Sequence, residues 1–465
     1  MYRVFNNIVE AIGDTPVVRL NSLARGLDAE VYVKVEYMNP AGSVKDRIAL
    51  EMIEAAEKNG TLKPGGTIVE ATSGNTGQGL AMVAATRGYK CIFVMPDKMS
   101  DEKVRNLRAY GARVVITPTA VAPEDPRSYY SVSKRLSLET PNAILANQYH
   151  NPANPAAHYK STGPEIWKNM GPELDYLVLG LGTGGTVTGT GKYLKEKKPA
   201  IEVVGVDPVG SVYYEYSKTG KVPNYFKTYK IEGVGEDFMP STIDFKYVDH
   251  VVQVGDKEAF IITRRMAQEE GILCGGSAGM AVAGALNFAR DNKLAKGKKL
   301  LVILPDSGAK YLSKIFNDDW MREYGFLDPD EKLGKVSEMV SGKGGVITAG
   351  PTDPVAKIVR VMKEKGISQL PVVEADPADK SKDKLIGMIG EVTLLNYLLE
   401  GEHNLEKPIA PLVEKDTPVV TPDAPIARLK EIFARGKVAC VMDGGRVIGI
   451  VTKIDMIDFL ARKVA

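Results

Sequence analysis

Lys45 is the residue best placed in this chain to act as an amine nucleophile. It stands in Ala41-Gly42-Ser43-Val44-Lys45-Asp46-Arg47, which opens an amphipathic helix. Pro40 and Gly42 precede it, and Ile48, Met52, Ile53 and Ala56 recur on one face. A first helical turn carries partial positive charge and Arg47 adds to it, so the ammonium is disfavoured and the neutral amine that condenses with carbonyls gains. Alone, a lysine in such a place is ordinarily a surface charge. Its company gives it weight.

Three glycine-rich loops supply that company. Thr72-Ser73-Gly74-Asn75-Thr76-Gly77 follows a predicted strand and opens a helix. Its glycines let backbone approach a ligand, and helix N-terminal N–H groups suit an anion such as a carboxylate. A strand-to-helix turn with a good N-cap is the plain alternative. Gly182-Thr183-Gly184-Gly185-Thr186 sits at a similar junction and reads as a phosphate cradle, with backbone donors and two hydroxyls. It lacks the Lys-Ser/Thr ending of a P-loop and matches GxGxxG only loosely, so nucleotide hydrolysis and dinucleotide binding are poorly supported. Cys274-Gly275-Gly276-Ser277-Ala278-Gly279 forms a third strand-like-to-helix junction. Two anion loops in one sheet, with a candidate amine, point to a phosphorylated carbonyl cofactor and an amino acid. No Asp stands in the third motif to hold a protonated ring nitrogen, so Ser277 is the natural partner of an unprotonated one. Such a ring is a weaker electron sink, which favours elimination and replacement at Cβ over transamination.

Short β-branched runs at Thr67 to Ala71, Cys91 to Met95, Val114 to Thr117, Leu177 to Leu181, Val203 to Val206 and Leu300 to Leu304 alternate with helical patterns. That βαβα rhythm predicts parallel sheet covered by helices in one α/β body over residues 1–324. Turn formers and charges over 325–334 read as a linker. A second module over 335–465 holds a weak internal repeat, with copies at about 335–402 and 408–465. The first copy carries an added charged segment, Asp376 to Lys384, read as a solvated loop.

With 465 residues, 44% apolar and 25% charged, the chain has the composition of a soluble multidomain protein. Lys and Arg number 60 against 58 Asp and Glu, which gives no bulk reason to expect nucleic acid or a membrane as partner. Cys91, Cys274 and Cys440 are distant and odd in number, so neither a disulfide framework nor a metal site is expected. The N-terminus lacks a signal-peptide pattern, and no apolar run reaches the roughly 18–20 residues of a membrane span. A cytoplasmic location is expected.

In this order, Asn39 to Arg47, Thr72 to Gly77, Asn147-Gln148-Tyr149 with Asn154-Pro155, Gly182 to Thr186 and Leu273 to Gly279 resemble the fold type II pyridoxal-phosphate family, and most closely its cystathionine-forming branch. The similarity covers essentially the whole chain. It implies an α/β core of parallel sheets covered by helices, plus a C-terminal α+β module of two CBS domains. The cofactor implied is pyridoxal 5'-phosphate. Lys45 would hold it as a Schiff base, Asn75 would bond its ring hydroxyl, Gly182, Thr183, Gly184, Gly185 and Thr186 would grip its phosphate, and Ser277 would meet its ring nitrogen. Thr72, Ser73, Thr76 and Gln148 would hold the substrate carboxylate, with Tyr149 beside the ring. The reaction implied is condensation of L-serine with L-homocysteine to cystathionine and water.

The stretch Ile231 to Phe238, with Glu232 and Gly233 near its start, is expected to receive the second substrate's ammonium group, or else to be a solvated acidic loop. Glu236 stands where the animal enzymes of this branch have tyrosine. The nearest alternative is a cysteine synthase using O-acetylserine and sulfide, against which the appended module and the acidic loop weigh. A serine or threonine dehydratase and a non-catalytic adenosyl sensor are further alternatives, the latter at odds with an intact Lys45. In the C-terminal module, Gly449 to Asp455 is similar to a pattern whose Thr452 and Asp455 hold a ribose, and S-adenosylmethionine is the regulator implied. The first copy departs from it with Gly390 and Thr393; a purely structural or dimerising role is the alternative. A homodimer or higher homo-oligomer is implied. Because the chain begins at the catalytic core, no haem is expected.

Overall fold

The computed structural model describes residues 4–72, 74–97, 99, 101–118, 121, 125–224, 227–327, 334–340, 345–376, 383–399 and 404–464. Ser73, residues 328–333 of the expected linker and 377–382 of the charged segment lie outside these. Contacts divide the chain into two compact units, Met1–Leu327 and Asp328–Ala465.

The first unit holds two sheets. Its strands are β1 (Val17–Arg19), β2 (Glu30–Val35), β3 (Thr67–Ala71), β4 (Lys90–Pro96), β5 (Arg113–Thr117), β6 (Ala143–Leu145), β7 (Tyr176–Gly180), β8 (Glu202–Pro208), β9 (His250–Val254) and β10 (Lys299–Leu304). The larger sheet runs β1-β2-β10-β7-β8-β9 and the smaller β5-β4-β3-β6. Every pairing is parallel except β1 with β2. Parallel strands covered on both faces read as unbroken apolar runs. So it is in β3 and β10, where all five residues of the first and five of six in the second are buried.

Each expected strand is present, but the rhythm did not reveal that they divide between two sheets. Order along the chain says little about pairing when a late strand, β10, inserts between β2 and β7. The two sheets also separate loops expected to share one. The two anion loops do not belong to one sheet: Thr72–Gly77 leaves β3 of the smaller sheet, and Gly182–Thr186 leaves β7 of the larger. Cys274 likewise ends no strand; it makes an isolated antiparallel bridge with Ser307.

In the second unit each repeat has its own core. The first copy packs the Val355–Lys365 helix, antiparallel β11 (Gln369–Glu374) and β12 (Lys384–Gly390), and the Glu391–Leu399 helix around Ile358, Val372 and Ile389. The second packs the Arg428–Ala434 helix, β13 (Val419–Val420), β14 (Ala439–Asp443), β15 (Arg446–Val451) and the Lys453–Val464 helix around Leu429, Val441 and Val451. Among the described residues no helix is long and apolar enough to cross a membrane.

Candidate active site

Lys45 is the first residue of the Lys45–Lys58 helix, which buries Ile48, Ala49, Met52, Ile53 and Ala56 against its neighbours. The helix start is tied to the segment after β10: Val44 N–H donates to the Pro305 carbonyl at 2.8 Å, and Ser43 bridges Asp306. Lys45 opens onto a cavity of about 1120 Å³ whose walls include Asn75, Thr76, Gln148, Tyr149, Gly182, Thr183, Gly184, Thr186, Glu232, Gly233 and Ser277. Residues far apart in sequence thus share one chamber.

Burial pushes the Lys45 ammonium down to about 8, against the opposing pull of the Glu236 and Asp306 carboxylates. The cause differs from the one expected, because Arg47 does not act on Lys45 as a loose surface cation. Its side chain is buried and chelated: it donates to Glu36 at 2.7 and 2.8 Å and to Glu165 at 2.7 and 2.7 Å. Lys34 joins the cluster, 2.9 Å from Glu165. Below about 8 the neutral amine fraction grows roughly tenfold per pH unit, so carbonyl capture by apo-protein should quicken about tenfold from pH 6 to 7 and level off above 8. Stopped-flow absorbance of pyridoxal phosphate uptake reads this, and a flat profile would contradict it.

Three helices begin at this cavity with glycine as N-cap: Asn75–Arg87 after Gly74, Gly185–Lys197 after Gly184, and Gly276–Asp291 after Gly275. A glycine N-cap puts no side chain of its own on the first-turn N–H groups; in the first of these helices Thr72 takes the Gly77 N–H, and such helix starts otherwise suit an anion or polar ligand. At the Gly182–Thr186 loop the fit to a phosphate is steric as well. Gly184 has φ +86°, and a Cβ there would lie 2.3 Å from Ile243, while one on Gly185 would lie 1.8 Å from Asn154 Oδ1. Asn154 Nδ2 donates to Thr183 Oγ1 at 3.0 Å, leaving the Thr183 hydroxyl hydrogen for a ligand. Thr186 Oγ1 sits 3.1 Å from Nε2 of the buried His158, whose Nδ1 meets Thr162 Oγ1 at 2.9 Å. Burial holds His158 well below the usual histidine range, hence neutral. The residues present fit a phosphorylated ligand. Gly185→Ala should therefore displace the loop and weaken pyridoxal phosphate binding about 5- to 150-fold, as overpacking costs about 1–3 kcal/mol. Titration of apo-protein measures it.

In the same cavity Thr76 Oγ1 donates to Gln148 Oε1 at 2.7 Å. This orients the Gln148 amide, whose Nε2 lies 3.4 Å from the Ala71 carbonyl. Thr72 is buried and does not line the cavity; its hydroxyl oxygen accepts from Gly74 N–H at 3.0 Å and Gly77 N–H at 3.3 Å, shaping the loop. Ser277 is buried in the first turn of its helix and lines the cavity. The Tyr149 ring packs edge-on against Phe238, centroids 5.3 Å apart.

Glu232 is placed differently from its expected role as an open ammonium acceptor. Its carboxylate is already matched, paired with the buried Lys103 and with Lys314 at 2.6 Å, which hold it below the usual carboxylate range. In the second unit, Thr452 N–H and Oγ1 both bond Asp455 Oδ2, at 2.8 and 2.6 Å, capping the final helix. Thr393, the comparable residue of the first copy, bonds Glu414 at 2.7 Å instead. Among the described residues no group of three or more His, Cys, Asp or Glu side chains is arranged to hold a metal ion.

The family model for pyridoxal-phosphate dependent enzymes matches residues 8–306, and that for CBS domains matches 326–400 and 409–462. The chain belongs to the pyridoxal-phosphate dependent enzyme family. This enzyme is 40% identical to a cystathionine beta-synthase of Dictyostelium discoideum, over 99% of its own length and 93% of the relative's. Among solved structures, it is similar to O-ureido-L-serine synthase (TM-score 0.63, 40% identity, 69% of this chain and 100% of that one). It is also similar to the O-acetylserine dependent cystathionine beta-synthase of Helicobacter pylori (TM-score 0.62, 39% identity, 67% of this chain and 99% of that one).

Proposed function

We propose that this enzyme is a cystathionine β-synthase, condensing L-serine with L-homocysteine to cystathionine and water by replacement at Cβ. The observation that carries the site assignment is the meeting of Lys45 with three glycine-capped helix starts around one cavity. Pyridoxal phosphate, when bound, supplies the electron sink that makes the substrate Cα acidic and lets the β-substituent leave. Lys45 would hold the cofactor through its carbonyl carbon and, once the substrate's own amine has taken that place, its freed amine would take the Cα proton and hand it on to the leaving hydroxyl. An amine poised near 8 serves both directions of that transfer close to neutral pH.

The Gly182–Thr186 loop holds the phosphate through backbone N–H groups and the Thr183 and Thr186 hydroxyls. Asn75 meets the ring hydroxyl, and the Ser277 hydroxyl meets an unprotonated ring nitrogen. Thr76, Gln148 and the first N–H groups of the Asn75–Arg87 helix bind the substrate carboxylate, with Ser73 of the loop before that helix. Thr72 acts by shaping that loop. Tyr149 lines the cavity as an aromatic wall, backed by Phe238. We assign the second substrate's ammonium group to Glu236, which lines the cavity and whose charge reaches Lys45, and its carboxylate to the Lys314 side of the Glu232 ion pair.

The similarity to the Helicobacter pylori enzyme favours O-acetylserine as a second possibility for the first substrate. Product identification after supplying serine or O-acetylserine with homocysteine or sulfide decides it. Cystathionine from serine is the expected main product; cysteine from O-acetylserine and sulfide would reassign the enzyme.

We assign Thr452 and Asp455 to an adenosyl site for S-adenosylmethionine. Thr452→Ala and Asp455→Ala should each abolish the heat of binding in calorimetric titration, and an unchanged isotherm would reject the site. Exposed Val392, Leu395 and Leu399 on the closing helix of the first repeat, with Ile454 and Ile457 on that of the second, support a homodimer or higher homo-oligomer. Three free, buried cysteines suit a reducing cytoplasm.

A further inference from the structure

Asn75 stands between a carboxylate and an ammonium group. Its Nδ2 donates to Asp306 Oδ2 at 2.8 Å, and its Oδ1 accepts from Lys310 Nζ at 2.7 Å. Asp306 is 1% exposed, and the same Oδ2 accepts the Tyr311 hydroxyl at 2.7 Å. Lys310 reaches further, to the Ala41 carbonyl at 3.4 Å, in the segment that leads into Lys45. Asn75 lines the cavity, whereas Asp306 and Lys310 stand behind it.

A carboxylate only accepts and an ammonium only donates, so the two neighbours admit one orientation of the amide. Flipped, the Asn75 carbonyl would face the carboxylate and its NH2 would face the ammonium. Two charge-assisted hydrogen bonds would become two repulsions. In the orientation observed, Oδ1 is committed to Lys310 and one Nδ2 hydrogen to Asp306. What remains to Asn75 is a single donor.

We propose that Asp306 and Lys310 are positioning residues that lock the Asn75 amide, so that it presents only an N–H, never a carbonyl, to the oxygen on the cofactor ring. This rests on the placing of Asn75 beside the ring hydroxyl. A donor fixed there favours the ring oxygen without its proton and so keeps that proton on the nitrogen contributed by Lys45. An unlocked amide would accept from the hydroxyl as readily as donate to it, and the bias would be lost.

The test compares cofactor-loaded Lys310→Met, Lys310→Arg, Asp306→Asn and Asn75→Ala with the parent, without substrate and at one pH. The readout is the ratio of the near-ultraviolet to the visible absorption band of the bound cofactor, which reports whether ring oxygen or nitrogen holds the shared proton. Lys310→Met should raise that ratio by about two- to tenfold, the equivalent of one net hydrogen bond. Asn75→Ala and Asp306→Asn should shift it the same way, and Lys310→Arg should stay within about twofold of the parent. If Asn75→Ala moves the ratio and Lys310→Met does not, the lock is refuted while the placing of Asn75 stands. If neither moves it, that placing falls and the lock with it. Thermal melting identifies any variant that fails to fold; should Asp306→Asn do so, the Met and Arg variants at Lys310 decide.

Discussion

Replacing Lys45 with alanine should reduce cystathionine formation by at least about 10²- to 10⁴-fold, the range that a positioned proton-transfer group contributes, and should leave the thermal transition nearly unmoved. The two halves of that expectation come from the same environment. Among the described residues Lys45 makes no ion pair, and burial already disfavours its charge, so removing it relieves a desolvation cost. Alanine is moreover the best helix former at a first-turn position. Catalysis loses both the amine that holds the cofactor carbonyl and the group that moves the Cα proton. Turnover assays beside melting curves separate the effects; a variant that melts early, or that keeps turnover within tenfold, contradicts the role.

The second large effect is on stability and comes from the neighbouring residue but one. Arg47→Met should destabilise the first unit by about 3–5 kcal/mol, because it leaves two buried carboxylates without their shared partner. Glu36 is fully buried and Glu165 mostly so; both lie below the usual carboxylate range because the Arg47 guanidinium and Lys34 hold them there. Each carboxylate makes two hydrogen bonds to Arg47, so Arg47→Lys should recover only part of the loss. The two tryptophans, Trp167 and Trp320, both belong to the first unit. Their fluorescence during urea unfolding therefore follows that unit alone. An unfolding free energy unchanged to within 1 kcal/mol would show the cluster to be dispensable. The cluster anchors the helix start that carries Lys45, so turnover should fall in the same variants.

The parts legible in the sequence were those written in local backbone chemistry. Gly74, Gly184 and Gly275 mark helix starts wherever they occur, and each lies where a strand or a strand-like run gives way to a helix. The apolar runs of β3, β7 and β10 announced parallel strands. What was not legible depended on long-range pairing. No local signal separates β3 and β7 into two sheets, and none tells that Arg47 turns inward to Glu36 and Glu165, which precede and follow it at very different distances. Glu232 looked open because Lys103 and Lys314, which neutralise it, come from elsewhere in the chain. Thr72, in a run of hydroxyls that looked uniformly available, spends its oxygen on Gly74 and Gly77 instead. Asp306 and Lys310 escaped notice for a similar reason: Asp-Ser-Gly-Ala-Lys after a strand reads as an ordinary turn, and only the fold sets it against Asn75.

One amine, in a cavity where three glycine-capped helix starts meet, should bind the cofactor covalently. Borohydride reduction of the protein loaded with pyridoxal phosphate, followed by peptide mass spectrometry, tests it directly. A single phosphopyridoxyl adduct on Lys45, absent from Lys45→Ala, is the expected result; an adduct on Lys103, Lys310 or Lys314, or none on the parent, would contradict the assignment of Lys45.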